Sequence, residues 1–339
     1  MSRTTGGDFL FEAEEKEAFR RIMWRMANFC GVKVLTYCVM DNHFHVLLRV
    51  PDKESFLERF NDREGEKAGA GEERLLQHLS TLYSKAYVSR VREELAWMRE
   101  HKMEADAEKF LDKYRRRFCD LSLFVKEVKE RFSRWYNKKH GRRGTLWMDR
   151  FKSVLVQDGE ALQTMAAYID LNPVRAGIVE DPKDYRWCGY AEAVAGSKRA
   201  RRGLCQVMNR PLDSWTDKKH DSAAWYRCWL MTDGEEVKED KLYQVNARKG
   251  IPKEKVKKEL ARRGRLSRYE LLRSRVKYFT SGAVIGSQEF VSGVYEKNRG
   301  KFGPGRRQGA KPLEKNVGPD DNKAMAGILY VINGGRGGD

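Results

Sequence analysis

Two histidines separated by one residue are the first candidates for chemistry in this sequence. His43 and His45 flank Phe44 at the start of HFHVLLRV (His43–Val50), an apolar run that predicts a strand. Because successive side chains of a strand point to opposite faces, both imidazoles leave one face and Phe44 leaves the other. Two neutral imidazoles on one face can hold a divalent cation. The same spacing is more often found in two ordinary, partly exposed histidines, so this pair alone is weak evidence for a metal site.

The second element is a tyrosine followed four residues later by an asparagine. Tyr168 and Asn172 stand in YIDLNPVRAG, near the end of a helix predicted over Glu160–Leu171, and their spacing places them on one helix face. A phenol beside a metal ion can attack phosphorus and form a phosphotyrosine, and an amide oxygen can be a third ligand. The alternative is that Tyr168 is a core aromatic residue and that Asn172 caps the helix before Pro173.

The helices and strands that must position these residues are predicted from the spacing of apolar residues along the chain. A helix is predicted over Glu12–Phe29, where apolar residues recur at helical spacing, and Gly31 ends it. A strand is predicted over Val32–Met40, and the turn Asp41-Asn42 joins it to the histidine strand. The histidine pair therefore lies at the start of the second strand of a hairpin.

Helices dominate the next part of the chain. Apolar residues recur with helical period through the charged stretch 54–140, which predicts a long helical insertion with a loop at 61–73. A strand is predicted over Phe151–Gln157, before the helix that carries Tyr168. This order of elements indicates an α+β fold with an antiparallel sheet. The composition changes after Gly196, so residues 1–196 are predicted as one domain.

The composition favours a nucleic-acid partner and excludes several other classes. The 339 residues include 67 Lys and Arg against 49 Asp and Glu, a net charge of +18 that points to a polyanion. No apolar run approaches the about 20 residues of a membrane-spanning helix. Aromatic residues make up 11% of the chain, enough to build a core. The six cysteines include no CxxC pair, which favours reduced thiols in a cytoplasm over a disulfide framework or a zinc site.

The positive charge is concentrated in the C-terminal part of the chain. Residues 197–240 are predicted as a linker that starts with a basic run, and the glycine-rich residues 312–339 as a mobile tail. Between them, residues 241–311 hold twenty Lys and Arg and five Glu, a net +15, and are predicted to form a small basic helical DNA-binding extension. Three helices are predicted in this extension: Pro252–Arg263, Ser267–Tyr278 and Gln288–Asn298. The first two can form a helix-turn-helix-like unit, and a weakly packed basic tail is the alternative.

Four motifs follow one another in a characteristic order. They are MDNHFHVLLRV (Met40–Val50), GTLWMDRFKSVLV (Gly144–Val156), YIDLNPVRAGIV (Tyr168–Val179) and DYRWCGYAEAVAG (Asp184–Gly196). Together they resemble the single-tyrosine HUH transposases, and most closely the REP-associated tyrosine transposases, over Asp8–Gly196. The basic C-terminal segment resembles an extension that some bacterial members carry.

The resemblance implies a fold, a metal site and a reaction. It implies a ferredoxin-like antiparallel sheet flanked by helices, with Tyr168 as the nucleophile. The implied ligands of Mg²⁺ or Mn²⁺ are His43, His45 and Asn172. Members of the family nick single-stranded DNA beside a hairpin, form a 5′-phosphotyrosine and transfer the strand with the released 3′-OH. They begin with a strand that ends near the equivalent of Met1–Thr4, so most of that strand is expected to be missing here and the sheet edge exposed.

Basic and aromatic residues near the motifs are candidates for DNA contacts. The candidate residues are Arg134, Trp135, Lys138, Lys139, Arg142, Arg143, Arg150, Lys152, Arg175, Arg263, Arg265, Arg268, Arg273 and Arg275. Trp135, Tyr136 and Trp147 are interleaved with the cations and can stack on unpaired bases. The alternative for such a charged run is a solvated helix face.

The sequence thus predicts a metal-dependent DNA nickase and strand transferase. Its expected partner is single-stranded or hairpin DNA, with no membrane, in a cytoplasm and associated with the nucleoid. A catalytically idle hairpin-DNA-binding protein is the alternative, because a truncated copy would lack the first strand, whereas a misplaced start codon would leave an active enzyme. An RNA-binding protein is a third class with no motif in its favour. Both a monomer and a homodimer stay open.

Overall fold

The computed structural model describes the greater part of the chain and divides it into two compact units. The described stretches are residues 1–215, 222–236, 249–259, 282–301, 311–312 and 330–333. The first unit consists of Met1–Gly7, Leu35–Leu47 and the chain from Met148 onward. The second unit consists of Asp8–Val34 and Leu48–Trp147.

The described residues form both helices and strands. In chain order the helices are α1 (Ala13–Cys30), α2 (Lys53–Leu57), α3 (Ala70–Leu79), α4 (Lys85–Glu100), α5 (Glu104–Arg115), α6 (Leu121–Lys139), α7 (Glu160–Asp170), α8 (Asn172–Arg175), α9 (Gly189–Val194), α10 (Lys198–Val207), α11 (Ser222–Gly234), α12 (Lys253–Glu259) and α13 (Gln288–Lys297). The strands are β1 (Ser2–Arg3), β2 (Lys33–Val39), β3 (His43–Arg49), β4 (Leu155–Val156), β5 (Gly282–Gly286), β6 (Lys311–Pro312) and β7 (Tyr330–Asn333). The predicted α+β class is confirmed, whereas the ferredoxin-like arrangement stays a prediction.

The predicted hairpin is confirmed and belongs to a three-stranded antiparallel sheet with the order β1-β3-β2. Strand β1 pairs with the start of β3, with Arg3 opposite His43. On the other side of β1, the Met148 N–H donates to the Arg3 carbonyl (3.0 Å) and the Lys152 N–H to the Met1 carbonyl (2.9 Å). Strand β1 therefore covers only the start of β3, at His43 and Phe44, and it is much shorter than β3, as the short first strand expected from the sequence implies.

The long first helix is confirmed within one residue of its predicted bounds. Gly31 ends α1 in the left-handed conformation, at φ 72°, which glycine adopts without strain. The buried face of α1 packs against α6 within the second unit. The rings of Phe19 and Phe132 meet there edge to face, with their centroids 5.3 Å apart.

The helices predicted within residues 54–140 are also confirmed, as α2 to α6. The loop predicted at 61–73 is shorter, because α3 already begins at Ala70. The Asp62 carboxylate accepts the N–H groups of Gly69 (2.8 Å) and Gly71 (2.6 Å). The first N–H groups of a helix have no partner inside the helix, so this carboxylate stabilises an early start.

The strand predicted over Phe151–Gln157 is wrong in length and in partner. Only β4 forms, and it belongs to a second sheet with the order β4-β5-β7-β6. Strand β4 pairs in parallel with β5, with Leu155 opposite Val284, instead of joining the antiparallel sheet. Parallel pairing joins segments that are distant along the chain, and local periodicity carries no information about such partners.

The predicted helical extension and the predicted tail also contain strands. Helix α13 confirms the predicted helix Gln288–Asn298, but β5 precedes it and pairs with β7, at 330–333, in the predicted tail. The apolar run GAVIG of β5 is a strand signal within a segment read mainly by its charge. Helix α12 covers the start of the predicted helix Pro252–Arg263, whose remainder lies outside the described residues with all of Ser267–Tyr278.

Residues 197–240, predicted as a linker, contain the two helices α10 and α11. The basic residues of α10 lie on its outer face. They dominate the composition of the segment, so its helical pattern of apolar residues was not recognised in the sequence. Lys198 and Arg202 are exposed, whereas Ala200, Leu204 and Val207 are buried in the core of the first unit. This arrangement is typical of an amphipathic helix.

All six cysteines lie in the described part of the chain. None of Cys30, Cys38, Cys119, Cys188, Cys205 and Cys228 forms a disulfide bond. Burial raises the pKa of Cys30 to about 12, so that this thiol stays protonated and unreactive.

Within the described stretches, no helix is long and apolar enough to cross a membrane.

One buried carboxyl group joins four elements of the first unit. Asp170, the last residue of α7, has no solvent exposure. Its Oδ1 accepts hydrogen bonds from Thr36 Oγ1 on β2 (2.8 Å) and from the N–H of Tyr190 on α9 (3.1 Å). Its Oδ2 accepts from the hydroxyl of Tyr226 on α11 (2.7 Å). Since a buried polar group is costly without partners, this side chain holds the C-terminal end of α7 in one orientation.

We expect Asp170→Ala to lower the free energy of unfolding by about 3 kcal/mol, because three hydrogen bonds are lost and their donors stay buried. Urea denaturation followed by circular dichroism measures this change. Asp184→Ala is the matched control in the same unit, since the Asp184 side chain is 58% exposed, and it should cost no more than about 0.5 kcal/mol. Equal losses for the two variants would contradict the role of Asp170.

The stability should also depend on pH through Asp170. Burial raises the pKa of this carboxyl group to about 7, above the about 3.9 of an unfolded aspartate. The stabilisation from its bound proton is complete below about pH 4 and is lost as the pH rises through about 7. The free energy of unfolding of the wild type, minus that of Asp170→Asn, should fall over this window by up to about 1.4 kcal/mol per pH unit. A difference that is constant in urea titrations between about pH 4 and 7 would contradict this expectation.

Candidate active site

Strand β3 brings the two histidine rings together, as the strand period predicts. The ring centroids of His43 and His45 lie 5.1 Å apart, with the ring planes nearly perpendicular at 86°. Phe44, between them, is buried at 5% exposure, and His45 is buried at 8%. The pair is therefore enclosed on the protein side, and His43 is the more open of the two rings.

Helix α7 places the candidate nucleophile beside this pair. The ring centroid of Tyr168 lies 5.8 Å from that of His45, in an edge-to-face arrangement at 83°. The guanidinium of Arg175 lies over the Tyr168 ring, with Cζ 4.5 Å from the centroid, and its Nη1 donates to the Tyr168 carbonyl (2.8 Å). A cation over the face of an aromatic ring is attracted by the ring quadrupole. Arg175 therefore holds Tyr168 both at the ring and at the backbone.

Asn172 lies one helical turn after Tyr168, at the junction of α7 and α8. Its side-chain Nδ2 donates to the carbonyls of Tyr168 (2.9 Å) and Ile169 (3.2 Å), so the amide caps the end of α7. The cap, which was the alternative prediction for this residue, is thus observed. The role of the amide oxygen as a metal ligand stays a prediction.

The electrostatics keep both imidazoles neutral. Burial, with a further contribution from the charge of Arg3, lowers the pKa of His43 to about 4. Burial lowers the pKa of His45 well below its usual range, and His43 adds to this effect. Neutral imidazoles offer lone pairs to a metal ion without first losing a proton.

The donor set fits a divalent cation only together with other oxygen ligands. His43, His45 and the amide oxygen of Asn172 would supply two nitrogens, one oxygen and no negative charge. Within the described stretches, no group of three His, Cys, Asp or Glu side chains could hold a metal ion. Mg²⁺ and Mn²⁺ prefer anionic oxygen ligands, so a cation at this site would need the phosphate oxygens of a substrate.

Three predicted DNA-contact residues lie in the first unit with the site. Arg150 and Lys152 are exposed, and they stay candidates for contacts with phosphate. Arg175 is half-buried against Tyr168, so its guanidinium belongs to the candidate site itself. The predicted contact residues Arg263, Arg265, Arg268, Arg273 and Arg275 lie outside the described residues.

The other predicted contact residues lie in the second unit. Arg134, Lys138 and Arg143 are exposed, and Arg142 is half-buried. Lys139 forms ion pairs with Glu14 (2.7 Å) and Glu15 (2.6 Å). Two carboxylates of the protein therefore compete with DNA phosphate for its ammonium group.

Of the three aromatic residues predicted to stack on bases, only one is accessible. Trp135 is half-buried and stacks on Phe132, with ring centroids 5.8 Å apart. Tyr136 and Trp147 are buried at 5% and 8% exposure and belong to the core of the second unit. The stacking prediction is therefore wrong for these two, because their apolar faces fill the core.

Two residues beside the predicted site were not identified as functional from the sequence. Asn42, predicted only as a turn residue, has its Oδ1 2.7 Å from Nδ1 of His43. Asp170 lies between Tyr168 and Asn172 along the chain but is buried on another face of α7. A carboxylate inside the apolar run of α7 was the available signal for Asp170, and a side-chain amide next to a candidate ligand was the signal for Asn42.

Comparison with known proteins relates one part of the chain to a family. Residues 7–94 match the family model of the IS200-like transposases. The match includes α1 and the hairpin with His43 and His45, whereas Tyr168 and Asn172 follow it in the chain. No curated protein and no solved structure gives a match. The family match supports a transposase-like function, with DNA as the partner.

We expect Mn²⁺ and DNA to bind the site cooperatively, because the protein donors carry no charge and the phosphate supplies it. Electron paramagnetic resonance of free Mn²⁺ should show weak binding to the protein alone and tighter binding with a hairpin oligonucleotide. By linkage, Mn²⁺ should tighten DNA binding by the same factor. In a variant with His43→Ala and His45→Ala this coupling should be lost. Equal Mn²⁺ affinity with and without DNA would contradict the expectation.

Proposed function

We propose that this protein is a metal-dependent, single-tyrosine DNA nickase and strand transferase of the HUH type. Tyr168 is the nucleophile in this proposal, and the metal ligands are His43, His45 and Asn172. The observation that supports it most directly is the contact between rings from distant parts of the chain. The His45 ring lies 5.1 Å from His43 on its own strand and 5.8 Å from Tyr168 on α7.

In the proposed reaction the phenol of Tyr168 is the nucleophile, and the imidazole pair would hold the metal ion. When bound, Mg²⁺ or Mn²⁺ would act as a Lewis acid that polarises the scissile phosphate. The Tyr168 oxygen attacks phosphorus and loses its proton, and the bond from phosphorus to the 3′ oxygen breaks. The departing 3′ oxygen takes up a proton, so the products are a 5′-phosphotyrosine and a free 3′-OH. Attack of a 3′-OH on this phosphotyrosine reverses the step or transfers the strand without ATP.

The proposed substrate is single-stranded DNA that carries a hairpin, as in the REP-associated tyrosine transposases. Three features support it: the family match over residues 7–94, the order of the four motifs, and the net charge of +18. In the same proposal the antiparallel sheet with its flanking helices is a ferredoxin-like catalytic core. The basic segment 241–311 adds affinity for phosphate that falls as salt rises.

We expect Tyr168→Phe to abolish covalent protein–DNA adducts while hairpin binding is kept, because only the attacking oxygen is removed. A labelled single-stranded hairpin is incubated with the protein and Mn²⁺, and adducts are resolved on a denaturing gel. Binding of the same hairpin is measured by a mobility shift.

Tyr185→Phe is the matched control for the loss of a hydroxyl group. Tyr185 is a buried tyrosine of the same unit, and its hydroxyl donates to the Val39 carbonyl of β2 (2.8 Å). Adduct formation by Tyr168→Phe would refute the nucleophile assignment. Hairpin binding by the wild type without any adduct would favour the catalytically idle binding protein.

A further inference from the structure

The side chain of Asn42 links His43 to the N-terminal segment of the first unit. Its Nδ2 donates to the carbonyl of Gly7 (2.7 Å), and its Oδ1 lies 2.7 Å from Nδ1 of His43. A carbonyl oxygen can only accept hydrogen bonds, so the contact with Gly7 determines which end of the amide is nitrogen. The amide oxygen therefore faces His43, and the imidazole Nδ1 must carry the hydrogen of that contact.

We propose that Asn42 is a positioning residue that holds His43 in the Nδ1–H tautomer. A neutral imidazole carries one N–H, so Nε2 then holds the lone pair that can bind a divalent cation. This inference rests on the proposed function, in which His43 is a metal ligand. Hydrogen bonds of this kind to the second ring nitrogen fix the tautomer and the orientation of ligating histidines in metal sites generally.

The backbone of Asn42 is held independently of its side chain. The N–H and the hydroxyl of Thr4 both donate to the Asn42 carbonyl, at 2.9 and 3.1 Å. Gly6 and Gly7 both have positive φ, at 69° and 76°, a conformation that glycine adopts readily and that turns the chain after Thr4. The turn thus has its own supports, and the amide of Asn42 can be changed without removing them.

The test compares variants that separate the acceptor for Nδ1–H from the rest of the turn. Asn42→Ala removes the acceptor. Asn42→Asp keeps an acceptor for Nδ1–H but can no longer donate to Gly7. Thr4→Val is the matched control, because it removes one hydrogen bond to the Asn42 backbone and leaves the amide contact with His43 intact.

The readout is the tautomer of His43 in the full-length protein without metal or DNA. Long-range ¹H–¹⁵N correlation spectra at pH 8 distinguish the protonated from the unprotonated ring nitrogen. We expect Nδ1–H in the wild type, in Asn42→Asp and in Thr4→Val, and a shift towards Nε2–H in Asn42→Ala. The backbone amide signals of Gly7 and His43 in the same samples report whether the turn is retained.

A second readout connects the tautomer to the metal. Mn²⁺ affinity in the presence of a hairpin oligonucleotide should fall about 10–100-fold in Asn42→Ala, whereas Asn42→Asp should restore binding. An unchanged tautomer in Asn42→Ala, or a changed tautomer with unchanged Mn²⁺ affinity, would overturn the inference. Failure of the wild type to bind Mn²⁺ would instead contradict the proposed function, and the wild-type measurement alone reveals it.

Discussion

The burial of the Asp170 carboxyl group is the constraint on which the arrangement of the candidate site depends. In a helix, a step of two residues turns a side chain by about 200°. Asp170 is separated by two residues from both Tyr168 and Asn172, so its burial turns these two towards the opposite side of α7. The hydrogen bonds of Asp170 to β2, α9 and α11 thereby orient the phenol towards the imidazoles of β3.

The parts of the fold that could be predicted from the sequence are those set by local patterns. Helix α1, the hairpin of β2 and β3, and the placement of both imidazoles on one strand face follow from periods of 3.6 and two residues. The parallel pairing of β4 with β5 depends on a partner far along the chain, so local patterns could not predict it. The helices of the predicted linker were missed because basic residues on one face dominated the composition of the segment.

The sequence predicted which residues belong to the candidate site, but it did not determine most of the hydrogen bonds and ring contacts that they form. Motif order identified His43, His45, Tyr168 and Asn172, and the ring distances confirm that the first three lie together. The sequence offered the helix cap by Asn172 as one alternative, but it did not show that Arg175 covers the Tyr168 ring or that Asn42 faces His43. Such contacts depend on rotamers and on packing between elements, which residue spacing does not determine.

The double capping of the Tyr168 carbonyl by Asn172 and Arg175 affects what happens after a DNA strand is attached. With its main chain held at the helix end, the tyrosine can move mainly by rotation about its side-chain bonds. In the proposed reaction, the cleaved 5′ end would therefore swing on a tether no longer than one side chain. A tether this short keeps the strand end within reach of an incoming 3′-OH and retains it against diffusion, so resealing and transfer compete from nearly the same starting point.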